Sequence, residues 1–258
     1  MNAADLPPEL AQPATSGLID VVRAIAQGPL AGRAYAIDRG AYPADLLQQL
    51  AAAGAMSAHL DKADGTPGDY GLAILAMAEA AKVCGATGFM MWCQCVAGLY
   101  MQASGNPGLT GERLARHVRG ETLGGTGLSN PMKSFAQIEA LLLKATPVDG
   151  GYIVNGTLPW VSNLAPDHYF GAIASVPTDS AARELMFMLR CDAPGVTLKT
   201  CPEFSGMEGT GTFSVQCKDL FVGADDIVAD PAKPTIARIR GGFVLLQCGI
   251  AAGIIQGA

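Results

Sequence analysis

The feature that most constrains this chain is a change of period near Gly120. Before it, apolar residues recur at helical spacing; after it they come in short β-branched and aromatic runs at period two; from Gly241 the helical spacing returns. Side-chain period fixes which element can bury one face, so the order along the chain is α, then β, then α. In the first part, Leu18, Ile19, Val22 and Ile25 form one apolar stripe that should stop at Gly28-Pro29. Leu46, Leu47 and Leu50 form a second stripe, between Pro43 and Gly54. Asp69 is a good N-cap for one long helix running from residue 70 to about 102, whose only charges are Glu79 and Lys82, so it must be buried on most sides. A short helix is expected over 111–118.

After Gly120, strands are expected at 141–146, 152–158, 169–176, 185–189, 196–200 and 212–221. Asp149-Gly150-Gly151 reads as a hairpin signal, and Asn155-Gly156 as a second turn. Short strands at this spacing predict a sandwich or barrel. The chain is therefore read as an α+β multidomain protein, with a helical domain over 1–120, a β domain over 121–235 and a further helical segment over 236–258.

Composition narrows the partners. Of 258 residues, 50% are hydrophobic and only 16% charged, below the roughly 25% of an ordinary soluble domain, so part of the surface is expected to be covered. The net charge of −6 lacks the Lys and Arg clusters that a nucleic acid requires. Seven Cys, an odd number with only Cys93 and Cys95 close together, indicate neither a disulfide framework nor a zinc ribbon and fit a reducing cytoplasm. Residues 1–9 carry acid and Pro where an export signal needs basic and apolar residues.

The end of the chain is unusual. Gly249, Gly253 and Gly257 repeat every fourth residue in an uncharged run, a spacing shared by membrane helix pairs and by tightly packed helices of soluble bundles. The run is at the short limit for a membrane span and holds Gln247 and Gln256, so no span is expected. The chain also stops inside the pattern without a helix stop signal, and so reads as cut.

Candidate chemistry is sparse. His59, His117 and His168 pair locally with no carboxylate or Cys at a spacing that catalysis or metal binding reuses, and read as surface or cap residues; no metal site is expected. The glycines at 124–127 lack the strand, helix and acidic partner of a dinucleotide loop. Cys84, Cys93 and Cys95 read as small buried hydrophobes, or else as a redox or metal pair. Met90, Met91 and Met101 read as core, or as the lining of an acyl or flavin pocket. Trp160 and Ser162 share one face of an extended segment. That pairing suits a planar heterocycle, which needs a packing ring and a hydrogen-bonding hydroxyl, but on these residues alone a core Trp with a turn Ser is the favoured reading.

The run from Tyr152 to Asn163, YIVNGTLPWVSN, resembles the "LNGTKxWITN" element of the acyl-CoA dehydrogenase family. Other stretches are similar in the same order. Gly120-Glu121 and Leu128-Ser129-Asn130-Pro131 stand for "GE" and "LTEP", Ala193-Pro194-Gly195-Val196 for "dxPGv", and Met207 to Thr212 for "MGxRGSxT". Phe221 to Ile227 stands for "VPxENLLG", and Gly249 to Ala258 for "lGiAqgA".

This resemblance implies FAD held between the β domain and a C-terminal four-helix bundle, of which residues 236–258 would be the start. It implies Leu128 and Ser129 at the flavin pyrimidine edge, Trp160 packed near the ring system, Ser162 at flavin N5, and Ser134 at the cofactor pyrophosphate or the CoA arm. The implied reaction is α,β-dehydrogenation of an acyl-CoA or related thioester, with electrons passed to an electron-transfer flavoprotein by a cytoplasmic homo-oligomer, a dimer or tetramer. The family's catalytic Glu belongs to the later bundle, so no catalytic residue is named here. The "EPGAGSD" stretch is replaced by Asn130-Pro131-Met132-Lys133-Ser134-Phe135, and the Arg of "MGxRGS" is lost. These departures imply a divergent member and keep open a flavin-dependent monooxygenase on the same fold, or a non-catalytic thioester-binding scaffold.

Overall fold

The computed structural model describes residues 15–178 and 183–258, so the reading of residues 1–9 lies outside it. The order α, β, α is the order found. Helix α1 (Thr15–Ile25) buries Leu18 and Val22, as its stripe requires. It does not stop at Gly28-Pro29: a π turn, Ala26–Leu30, carries Pro29 inside it and leads through a 3₁₀ turn, Ala31–Arg33, into α2 (Ala34–Asp38). The wider turn keeps Leu30 buried despite the proline. Helix α3 (Ala44–Ala52) buries Leu46, Leu47 and Leu50.

The single long helix expected after Asp69 is two. Helix α4 (Tyr70–Ala81) starts where Asp69 Oδ1 accepts from the Leu72 N–H at 2.9 Å; the chain becomes extended at Cys84, and α5 (Gly85–Ser104) follows. Close packing explains the break: a Cβ on Gly88 would lie 2.5 Å from the Ala81 Cβ, so the two helices fold against each other. Two short helices, α6 (Pro107–Thr110) and α7 (Glu112–Val118), complete this layer.

Strand β1 (Gly124–Thr126) and helix α8 (Ser129–Phe135), neither anticipated, precede the main strands. These are β2 (Leu143–Val148), β3 (Gly151–Val161), β4 (Tyr169–Val176), β5 (Arg183–Arg190), β6 (Val196–Thr200), β7 (Phe213–Gly223) and the short β8 (Ile227–Ala229). They form one mixed sheet in the order β6-β7-β3-β2-β4-β5-β8, with β1 beside β4. The pairings of β4 with β1 and with β2 are parallel. Gly150, at φ 76°, makes the tight β2–β3 turn that was expected.

Asn155-Gly156, by contrast, is no turn. Strand β3 runs straight through it, and the signal belongs to a bulge against β7, where Asp219 stands at φ 50° and donates its N–H to Asn155 Oδ1 at 2.8 Å. Gly156 is needed because a Cβ there would lie 2.3 Å from the Leu142 carbonyl oxygen.

Strands β4 and β5 are buried on both faces. Ile173, Met186 and Met188 join the helical core around Tyr100, Met77 and Met90, whereas Phe170 and Phe187 meet edge to face within the sheet's own core. Helix α9 (Lys233–Gly257) then returns to the helical layer. Its length and composition would let it cross a membrane, but its glycine face is packed: a Cβ on Gly249, Gly253 or Gly257 would fall within 3 Å of the Ile74, Ala78 or Lys82 carbonyl oxygen of the α4 region.

All three histidines are buried, not superficial. The His59 Nε2–H donates to the Cys95 carbonyl at 2.9 Å, the His117 Nε2–H to the Gln94 carbonyl at 2.9 Å, and the His168 Nδ1–H to the Asn163 carbonyl at 3.0 Å. Sequence neighbours could not reveal this, because every partner but that of His168 is distant in the chain.

Two predictions follow from this packing. Gly253→Ala should destabilise by about 1–3 kcal/mol through overpacking, whereas Gly241→Ala, with open space around it, should be neutral or stabilise by up to about 1 kcal/mol; urea unfolding of the two variants checks this. Burial pushes His59 and His117 down to about 4 from 6.5. Unfolding then takes up protons below pH 6.5, so stability present above pH 6.5 is lost as pH falls toward 4, at up to about 1.4 kcal/mol per pH unit for each histidine. Urea titrations between pH 7 and pH 4.5 should show this slope; a flat profile would refute it.

Candidate functional site

One cleft of about 420 Å³ lies where the three parts of the chain meet. Helix α5 contributes Phe89, Trp92 and Cys93; the end of β1 contributes Thr126 and the link after it Leu128; α8 contributes Ser129, Met132 and Lys133; the end of β3 contributes Trp160 and the residue after it Ser162; and α9 contributes Phe243 and Gln247. Four residues singled out from sequence, Leu128, Ser129, Trp160 and Ser162, are thus brought together. Ser134 lies half-buried on α8, outside this lining.

Two buried side-chain amides build the site from below. Gln94, in mid-helix, accepts from the Gly124 N–H at 2.7 Å and donates to the Thr122 carbonyl at 3.0 Å, so β1 is held against α5. Tyr100 adds a 2.7 Å hydrogen bond to the Thr126 hydroxyl. Asn163 is fully buried at φ 64°, a left-handed conformation that Asn tolerates better than most residues. Its Nδ2 donates to the Gly124 carbonyl at 2.8 Å, its Oδ1 accepts from the Tyr42 hydroxyl at 2.6 Å, and its N–H donates to the Thr210 carbonyl at 2.8 Å. The turn at Asn163 presents Ser162 to the cleft. It also needs Gly125, where a Cβ would lie 2.1 Å from the Ser162 carbonyl oxygen.

The Trp160 side of the site is open. The ring is 46% exposed, which rules out a simple core role, and its one ring neighbour is Phe204 at 5.6 Å. On α5 and α9, by contrast, aromatic rings are locked: Trp92 stands edge-on to Phe243 at 5.1 Å and tilted to Phe89 at 5.6 Å, and its Nε1–H donates to the Phe243 carbonyl at 3.1 Å. The Ser162 hydroxyl is 2.6 Å from that of Thr212, which is 2.8 Å from that of Thr210, which donates to the Met207 carbonyl at 2.9 Å.

Several site residues were not legible in sequence. Phe89, Trp92, Phe243 and Gln247 sit in helices whose apolar content reads as uniform core. Met90, Met91 and Met101 are fully buried and do not line the cleft. Burial also pushes the Cys93 thiol up and that of Cys95 to about 12, so neither is a thiolate at neutral pH. Where "EPGAGSD" is replaced, α8 supplies a different geometry: Asn130 is buried, donating to Glu139 and to the Ala140 carbonyl at 2.9 Å each and accepting from the Leu142 N–H at 3.0 Å.

A second hollow of about 400 Å³ shares Met132 and Phe243 with the first and is rimmed by Lys233 and Arg240. The two hollows adjoin at Met132 and Phe243; Lys133 lines the first, and of the two cations rimming the second Lys233 is paired with Glu184 at 3.0 Å.

Residues 13–121 match the family model for the acyl-CoA dehydrogenase N-terminal domain. Benzylmalonyl-CoA dehydrogenase of Aromatoleum aromaticum is 26% identical over 175 residues, covering 66% of this chain and 45% of the relative. A probable acyl-CoA dehydrogenase of Bacillus subtilis is 24% identical over 251 residues, covering 93% of this chain and 64% of the relative. The chain thus spans about half to two thirds of the length of these two relatives. The structure of butyryl-CoA dehydrogenase from Megasphaera elsdenii has the same fold, with a TM-score of 0.80 at 20% identity, covering 98% of this chain and 66% of that one. The N-terminal domain match and a shared fold that continues through the sheet to α9 agree with the motif order along the sequence, so the chain is similar to acyl-CoA dehydrogenases over nearly its whole length.

Proposed function

We propose that the chain serves a FAD-dependent, acyl-CoA dehydrogenase-like oxidoreductase that introduces a double bond between the α and β carbons of an acyl thioester. The observation that carries this reading is the half-exposed Trp160 ring beside the Ser162 hydroxyl on an otherwise apolar, aromatic cleft. The residues present fit a flavin. Trp160 offers an uncovered flat face, apolar and aromatic side chains make up most of the cleft walls, and a hydroxyl stands where a ring nitrogen can meet it. Leu128 and Ser129 would meet the pyrimidine edge, Trp160 would pack near the ring system, and Ser162 would hydrogen-bond at N5. Ser134, set back on α8, would meet the pyrophosphate or the CoA arm.

Bound FAD would supply the two-electron acceptor for the hydrogen leaving the β carbon. The chain's own part is to hold the reacting carbons beside that acceptor and to keep water away. Among the described residues lining the cleft there is no carboxylate, so the group that takes the α proton is not assigned to it. The hollow beside the cleft, rimmed by Arg240 and by Lys233, supports an acyl-CoA as substrate, with its phosphates toward Arg240. The same reading includes an electron-transfer flavoprotein as acceptor, a cytoplasmic setting and a homo-oligomer. Exposed Val244, Leu245 and Ile255 on α9 support a covered surface there.

The protein should bind oxidised FAD, and an acyl-CoA added anaerobically should bleach the flavin absorbance; no bleaching with any acyl thioester would sink the dehydrogenase reading. Because Trp160 is half-exposed, Trp160→Ala should weaken FAD binding roughly tenfold, about 1.4 kcal/mol, through lost ring packing, with little change in urea unfolding. Equal affinity in the variant would remove Trp160 from the site.

A further inference from the structure

The Ser162 hydroxyl is the outer end of a three-hydroxyl relay, and its inner end fixes the direction of every hydrogen bond in it. A carbonyl oxygen only accepts, so the single proton of the Thr210 hydroxyl goes to the Met207 carbonyl at 2.9 Å. Thr210 must then accept from Thr212 across 2.8 Å, and Thr212, its own proton spent, must accept from Ser162 across 2.6 Å. If Ser162 donates outward, only two hydroxyl protons remain for three links, so the Ser162–Thr212 bond or one further in is forfeited, a loss of the order of one buried hydrogen bond within the relay.

Met207 itself is held. It sits at φ 61°, its N–H donates to Asp38 Oδ1 at 2.7 Å, and the backbone carbonyl of Thr210 is fixed by the Asn163 N–H at 2.8 Å. The relay therefore starts from a rigid acceptor, not from a group free to rotate.

From this geometry we infer that Ser162 presents an acceptor to the cleft, so that the site selects a group that donates a hydrogen bond there. The inference rests on the flavin reading above and sharpens it. Oxidised flavin has a bare N5 that can only accept; adding two electrons and a proton at N5 turns it into an N–H donor. Thr210 and Thr212 are then positioning residues that bias the site toward reduced flavin without touching it, and so raise the two-electron midpoint potential.

The test is anaerobic spectroelectrochemistry of the flavin-loaded protein, together with separate titrations with oxidised and dithionite-reduced FAD. In Thr212→Val, Ser162 loses its acceptor and its proton is free to point into the cleft. In Thr210→Val, Thr212 is released to donate to Ser162, with the same effect. Both variants should lose about tenfold in the ratio of reduced to oxidised affinity, a fall of about 30 mV for a two-electron couple. Thr210→Ser should restore the wild-type value, and Ser162→Ala, which removes donor and acceptor alike, should fall between. The two valine variants sit at different points of the relay, so either one that folds decides the matter. A potential equal to or above wild type in a folded valine variant overturns the inference while leaving the flavin reading intact. A wild-type protein that takes up neither oxidised nor reduced FAD overturns both.

Discussion

The candidate site hangs on a single buried residue that joins four separate stretches of sequence. Asn163 reaches Tyr42 before α3, Gly124 in β1, the 207–212 loop through Thr210, and His168 at the entry to β4. None of these stretches has enough apolar area of its own to fix its place to a fraction of an ångström. A fully buried amide whose side chain and backbone N–H and C=O are all hydrogen-bonded does fix it, because each partner would otherwise be left unsatisfied at a cost of about 1–3 kcal/mol. The left-handed turn at Asn163 is part of the same device, since it re-aims the chain after β3 and sets Ser162 toward the cleft.

Much of the fold could be read from the sequence, because its strands and amphipathic helices are local patterns. The main strands came out within two or three residues, β6 from its alternation and β4 from an unbroken apolar run. Where a residue's meaning depends on a distant partner, the reading failed. Asn155-Gly156 looks the same in a tight turn and in a bulge, and only the approach of Leu142 and Asp219 distinguishes the two. The break at Cys84 has no Pro and only ordinary glycines; it arises from contact between α4 and α5. The histidines carry no local sign of burial because their acceptors are carbonyls of other elements.

The site shows the same division. Its β side, Trp160 and Ser162, was visible through the resemblance of the 152–163 run to a family element; strand periodicity alone put the two on one face without deciding between a site and a core role. Its helical side was hidden: in a helix buried all round, the few residues facing a cleft have the composition of those facing the core. Phe89 and Cys93 line the cleft, while Met90 and Met91, their immediate neighbours, are wholly interior. The departures within 129–135 look destructive in sequence, but Asn130 replaces the lost loop with a stapled helix, so the wall of the cleft is rebuilt from different parts.

Helix α5 has one further property. Two consecutive carbonyls in its middle, Gln94 and Cys95, each take an extra hydrogen bond from a buried imidazole arriving from a different direction. A helix turns by about 100° per residue, so a slip of one position would rotate Trp92 off the cleft and swing Cys93 or Met91 into its place. The imidazoles act as a key in a keyway: they set the rotational phase of the rod that carries Phe89, Trp92 and Cys93 into the cleft. Substitutions at His59 or His117, neither of which lines the cleft, would therefore reshape its floor, and the selectivity of such a site can drift through residues that never meet a ligand.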